Sequence, residues 1–215
     1  MLGAFGKFNV GLAFAVLVLS AGFGSIPAAA EQPTAAQILN ALKPKPLTRS
    51  LSNPAAARKA VDQDEERFLD SVRAKPARLL SPEERARVAT IALERPSIDL
   101  EINFDYNSAS ISRKAMAAVA ELGKALSSPE LKGSVVLLAG HTDGKGADEY
   151  NQGLSERRAE AIKRHLVEKF GLKPENLVAA GYGKTQLKNT SNPFADENRR
   201  VQVVNMEPSK EARRN

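Results

Sequence analysis

A carboxylate, a guanidinium and an amide are spaced along this chain so that they can meet around one small charged ligand: Asp143, Arg158 and Asn151. The stretch from Asp148 to Phe170 reads as one helix that stops at Gly171. On a wheel of 100° per residue, Leu154 and Ile162 lie about 40° to either side of Arg158, with Ala161 and Leu166 within about 80°. Arg158 therefore occupies the middle of the apolar stripe. Glu156, Arg157, Glu160, Lys163 and Arg164 fall about 100° or more away, where solvent is expected. A guanidinium cannot shed its charge, so at such a position it needs a carboxylate partner or the wall of a pocket.

The loop ahead of that helix, Ala139-Gly140-His141-Thr142-Asp143-Gly144-Lys145-Gly146, supplies the complementary group. Asp143 follows directly on a β-branched and aliphatic run, Val135 to Ala139, expected to be a strand covered on both faces. That is the end of an open α/β sheet where ligands bind. Gly144 and Gly146 let the backbone turn sharply and approach a ligand. Asp143 can hold an ammonium group while Arg158 takes a carboxylate in bidentate fashion. Asn151, about 20° from Arg158 on the wheel, adds an amide. The combination suits a zwitterion. The alternative is an Asp143–Arg158 ion pair that is purely structural.

The elements that must position these groups begin after Pro96. Ile98, Leu100, Ile102 and Phe104 alternate with polar residues, as in a half-buried strand. From Ser112 the apolar positions Ala115, Val119, Leu122 and Leu126 recur at helical spacing until Ser127-Ser128-Pro129. Leu177 to Tyr182 and Val201 to Val204 supply two further strands. The order is β-α-β-α-β, a polar loop, then β: an α/β fold of α+β sandwich type, with two main helices packed on one mixed sheet over residues 97–206. Residues 207–215 form a charged tail.

Residues 31–96 differ in character. Prolines at positions 33, 44, 46, 54, 76, 82 and 96 break the stretch into short segments and rule out a sheet interior. Three segments suit helices: Thr34 to Leu42, Ala55 to Val72 and Pro82 to Leu93. Ser81 can cap the last, with Pro82 at the first helical position and Glu84 reaching back. With Phe68 as its single aromatic residue, the stretch is expected to be a partly helical linker or docking arm without an independent core.

The first thirty residues carry one charge, Lys7, before the apolar run Val10 to Leu19 and the small residues Ala28-Ala29-Ala30. This pattern predicts a secretory leader cleaved after Ala30 and a periplasmic protein. A retained inner-membrane span over Val10 to Ile26 is the alternative. The chain has no cysteine, so it carries neither a lipidation site at that residue type nor disulfides. Its 31 basic and 25 acidic residues give a net charge of +6, and loss of Lys7 with the leader leaves 30 against 25, or +5. In an exported protein with no continuous basic run, this excess does not point to nucleic acid.

The series Gly140-His141-Thr142-Asp143, Gly146, Tyr150-Asn151, Leu154-Ser155-Glu156-Arg157-Arg158-Ala159, Gly181-Tyr182-Gly183 and Asn198-Arg199-Arg200-Val201 resembles the ordered motifs of OmpA-like C-terminal domains. The Leu42 to Pro46 segment and the run from Asp99 are similar to OmpA-family proteins of alphaproteobacterial type. The resemblance implies non-covalent binding of peptidoglycan through the diaminopimelate of its stem peptide, tethering the envelope. It assigns the main contacts to Asp143 and Arg158. Weaker carry-overs are Asn107, Thr142, Asn151, Leu154 and Arg200. Asn107 can equally be a turn residue, and Arg200 a charge that protects an edge strand. The family's usual Gly-Arg pair before Asn-Arg-Arg is replaced here by Ala195-Asp196-Glu197.

Other functions fit less well. His141 and His165 are the only histidines; a hydrolytic zinc site needs three convergent protein ligands, and no further histidine is placed beside His141 to supply one. No Gly-x-Ser-x-Gly elbow is present, so neither an enzyme nor a metal or cofactor is expected. Residues 31–96 lack the repeated alternating strands of a porin barrel. A flagellar-stator-like wall anchor needs an acidic group in its span, and Val10 to Ile26 has none. A structural role in which residues 31–96 dock an outer-membrane protein while the domain grips the wall remains compatible.

Overall fold

The computed structural model describes residues 32–44, 55–102, 104 and 108–208, with the backbone alone for 55–62. The expected leader and Asn107 lie outside the described residues. Four strands, β1 (Ser97–Leu100), β2 (Val136–Gly140), β3 (Leu177–Gly181) and β4 (Val201–Asn205), form one sheet in the order β1-β4-β2-β3. β4 runs antiparallel to both β1 and β2, whereas β2 and β3 are parallel, as the intervening helix requires. The α-helices among the described residues are α1 (Ala35–Leu42), α2 (Ala55–Arg73), α3 (Pro82–Ala92), α4 (Met116–Leu126) and α5 (Asp148–Phe170). The mixed sheet and its two main helices, α4 and α5, follow the expected order.

Every residue of β2 is buried, because both faces of the sheet are covered. Val136, Leu138, Leu177, Val201 and Val203 face α1, α4 and α5 through Ile38, Leu42, Val119, Leu122, Ile162 and Leu166. Leu137, Ala139, Val178, Ala180 and Val204 face the opposite way, onto Leu69, Val72, Leu80, Val88 and Ile91 of α2, α3 and the turn between them. The stretch set apart in the sequence as an arm is thus packed into the same core. Ile38 and Leu42 are fully buried, each stabilising by about 1.5–3 kcal/mol on area grounds. Asn205 Nδ2 donates to the Leu42 carbonyl at 2.9 Å. Capping boxes start two of these helices, Thr34 with Gln37 on α1 and Ser81 with Glu84 on α3.

Three expectations shift. β1 pairs only to Leu100; Ile102 remains buried, and Phe104 forms an isolated bridge to Ile111. α4 begins at Met116 rather than near Ser112, after a turn closed by Ala115 N donating to the Ser112 carbonyl. The polar side of α5 is not all solvated. Ala77 N donates to Glu160 at 2.6 Å, Lys163 Nζ to the Arg73 carbonyl at 3.3 Å, and Arg85 lies 3.6 Å from Glu156. A helical wheel sees one buried face. Here residues 73–85 cover a second one, along the flank of edge strand β3 where Ala77, Ala159 and Ala179 cluster. Covering that flank also shields an edge that would otherwise pair with other chains.

Candidate functional site

The site grows from the carboxyl end of β2. Gly140 and Gly181 end the parallel pair, and α5 passes so closely over them that a Cβ on Gly140 would stand 2.4 Å from the Ser155 carbonyl oxygen. Tyr182 N donates to the Gly140 carbonyl, His141 N to Arg200 and Thr142 N to Gly183, so the strand pairing continues into the loop. Thr142 is buried, its hydroxyl donating to the Asp143 carbonyl. Lys145 N donates to Asp143 Oδ1 at 3.0 Å, an Asx-type turn that aims the carboxylate. Gly146, at φ 93°, then turns the chain into α5. Asn151 is buried, and its amide donates to the Lys145 carbonyl at 2.8 Å. It fastens the loop to the helix rather than offering that donor to a ligand.

Arg158 is half-buried, on the face of α5 that Leu154 and Ile162 bury to either side of it. Leu154, one turn earlier, is buried. The Arg158 guanidinium stacks 4.8 Å above the Phe104 ring, and Nε donates to the Ser108 carbonyl at 3.3 Å. Among the described residues it forms no ion pair. Burial pulls its pKa below the ordinary arginine value, with Arg199 adding to the shift and Tyr150 and Asp143 opposing it. The structural Asp143–Arg158 pair considered from the sequence does not form. Asp143 Oδ2 instead accepts from Arg199 Nη1 at 2.9 Å, and Arg199 Nη2 reaches Asp196 at 2.5 Å. Desolvation of Arg199 is outweighed by these two carboxylates, which raise its pKa.

The sequence reading passed over Arg199 and named its neighbour. Arg200 is turned away: it is 9% exposed, donates from Nε to Asp99 at 3.2 Å and reaches the Gln186 carbonyl. It binds β4 to β1 and precedes an interior strand, not an edge. Asn198 was also missed. Fully buried, it donates to the carbonyls of Asn192 and Pro193 and accepts from Asn189 N, holding the loop that presents Asp196 and Arg199. Both residues stand in the motif Asn198-Arg199-Arg200, but local spacing does not reveal which one reaches Asp143. The site as built holds one carboxylate already paired to an arginine, and beside it a second arginine stacked on an aromatic ring. That second guanidinium can take a carboxylate in bidentate fashion.

Residues 103–201 match the OmpA family model. Peptidoglycan-associated lipoprotein of Pseudomonas aeruginosa is 39% identical over 104 residues, 46% of this chain and 58% of that protein. Outer membrane protein A of Escherichia fergusonii is 36% identical over 85 residues, 40% of this chain. The matched stretch spans only 35% of that relative's length. The solved peptidoglycan-associated lipoprotein of Burkholderia pseudomallei is 27% identical, covering 53% of this chain and 92% of that one, at a TM-score of 0.41.

Proposed function

Residues 103–201 are an OmpA-family domain, and from that premise we propose that this chain binds peptidoglycan non-covalently in the periplasm, tethering the cell envelope. The ligand group is the zwitterionic centre of the diaminopimelate in the stem peptide. Arg158 takes its carboxylate, and Asp143 takes its ammonium. Thr142, Asn151 and Leu154 shape the loop and helix between them, and Asn107, outside the described residues, is a further candidate contact. The observation that carries this reading is the half-buried Arg158 guanidinium, stacked on Phe104 without an ion pair among the described residues, beside the Asp143 carboxylate. A desolvated cation of that kind favours an anion that arrives from outside.

Co-sedimentation with isolated diaminopimelate-type sacculi tests the assignment. The Asp143→Ala, Arg158→Ala double variant is expected to stay in the supernatant while keeping its helix content and cooperative melt. Retention on sacculi equal to the parent protein would sink the site. Export is the second half of the proposal: the leader is removed after Ala30, and amino-terminal sequencing of envelope protein should begin at Glu31. Among the described residues no helix is long and apolar enough to cross a membrane, and the span considered at Val10 to Ile26 lies outside them.

A further inference from the structure

The Asp143 carboxylate has one oxygen tied to the Lys145 backbone N–H and the other to Arg199, and its side chain is only 18% exposed. Each oxygen already accepts one hydrogen bond, and an incoming ammonium meets the Arg199 charge at one of them. Arg199 is held at both ends of its fork, Nη1 on Asp143 and Nη2 on Asp196. Asp196 is 90% exposed and stands on the last loop, within the Ala195-Asp196-Glu197 stretch where the chain departs from the family pattern. A guanidinium that leaves Asp143 by rotating outward thus keeps an anionic partner.

We propose that Arg199 occupies the ammonium subsite of the free protein and withdraws onto Asp196 when a ligand's ammonium takes Asp143. Asp196 is then a positioning residue that sets the preference for amino dicarboxylates over plain dicarboxylates. The inference rests on the function proposed above and deepens it. Asp196 holds Arg199 in both states, but in the free protein it shares the guanidinium with Asp143 and after the exchange it alone balances the charge. Without it the exchange becomes less favourable for any ligand that brings an ammonium. A dicarboxylate without amino groups has nothing to exchange with Arg199. It engages Arg158 and gains from the extra positive potential when Asp196 is neutralised. The two ligand classes therefore respond differently to the same substitution, which a loss of loop structure cannot produce.

Calorimetric titration of the exported protein with meso-diaminopimelate and with pimelate tests this. Asp196→Asn is expected to weaken meso-diaminopimelate binding about twofold to fivefold, the range of an exposed ion pair, while pimelate binds equally or more tightly. In an Arg199→Gln background the same substitution should leave meso-diaminopimelate binding unchanged. Parent-like binding of meso-diaminopimelate by Asp196→Asn overturns the proposal, as does a loss that persists in the Arg199→Gln background. Failure of the parent protein to bind either meso-diaminopimelate or sacculi instead overturns the function on which it rests.

Discussion

Arg199 Nη1 lies 2.9 Å from Asp143 Oδ2, so the carboxylate at the end of β2 is met by an arginine 56 residues further along the chain and not by Arg158 on the adjoining helix. Arg158 feels the charge of that carboxylate but makes no ion pair with it. On the function proposed above, the group that would face a ligand is the one without a carboxylate partner among the described residues, Arg158, and Phe104 and the Ser108 carbonyl fix its plane.

If that plane matters, charge alone will not substitute for it. Arg158→Lys keeps a cation but loses the two parallel donors and the stack on Phe104. Sacculus binding is expected to fall about tenfold, in line with the loss of one charge-assisted hydrogen bond. Co-sedimentation over a range of protein concentrations measures this. Unchanged binding would mean that a point charge is sufficient.

Ile38 is fully buried in the same cluster as Val119, Leu122 and Leu138, although it lies outside the residues matched to the family. Ile38→Ala is expected to cost about 2–5 kcal/mol of unfolding free energy, read as a lower urea midpoint at constant slope. A midpoint identical to the parent's would show that α1 is a detachable appendage.

The order of strands and helices was legible because β2 and α4 carry regular apolar periods and Gly171 ends α5 in a left-handed conformation. The singular position of Arg158 was legible too, since a charge near an apolar stripe stands out without any tertiary information. The partner of Asp143 was not, because Arg199 arrives on a loop organised by Asn198, and no periodicity links the two. The packing of residues 63–96 was hidden for another reason. Glu156, Glu160 and Lys163 read as solvated, yet Arg85, Ala77 and Arg73 meet them through side-chain and backbone groups that carry no apolar signature.

Gly140 has no room for a side chain. A Cβ there would lie 2.4 Å from the Ser155 carbonyl oxygen, a backbone atom that cannot rotate away. Gly140→Ala should therefore push α5 off the end of β2 and destabilise by about 1–3 kcal/mol, as overpacked cores do. His141, Thr142 and Asp143 follow directly, so sacculus binding should weaken along with the melting temperature. A variant that melts lower yet binds normally would separate the seat of α5 from the aim of Asp143.

His141 gives the fold a dependence on pH. It is 2% exposed, stacks 5.6 Å from Tyr182, and neither ring nitrogen makes a well-aligned hydrogen bond among the described residues, although the Gln186 backbone interacts with the ring. Burial, reinforced by Arg200 and opposed by Asp99 and the Gln186 backbone, takes its pKa down to about 3. The unfolded chain, titrating at about 6.5, binds the proton first as pH falls. Between pH 6.5 and 3 the unfolded state therefore holds more protons, and stability drops with falling pH by up to about 1.4 kcal/mol per unit from this group. Above pH 6.5 the contribution is constant. His141→Phe keeps a ring against Tyr182, removes two poorly satisfied polar atoms and abolishes the proton uptake. Urea midpoints measured from pH 7.5 down to 4.5 should decline less steeply for the variant than for the parent. Parallel declines would place the acid sensitivity in the carboxylates instead, with Glu84, whose pKa the Lys75 side chain and then the Ser81 backbone N–H hold down, as the next group to replace.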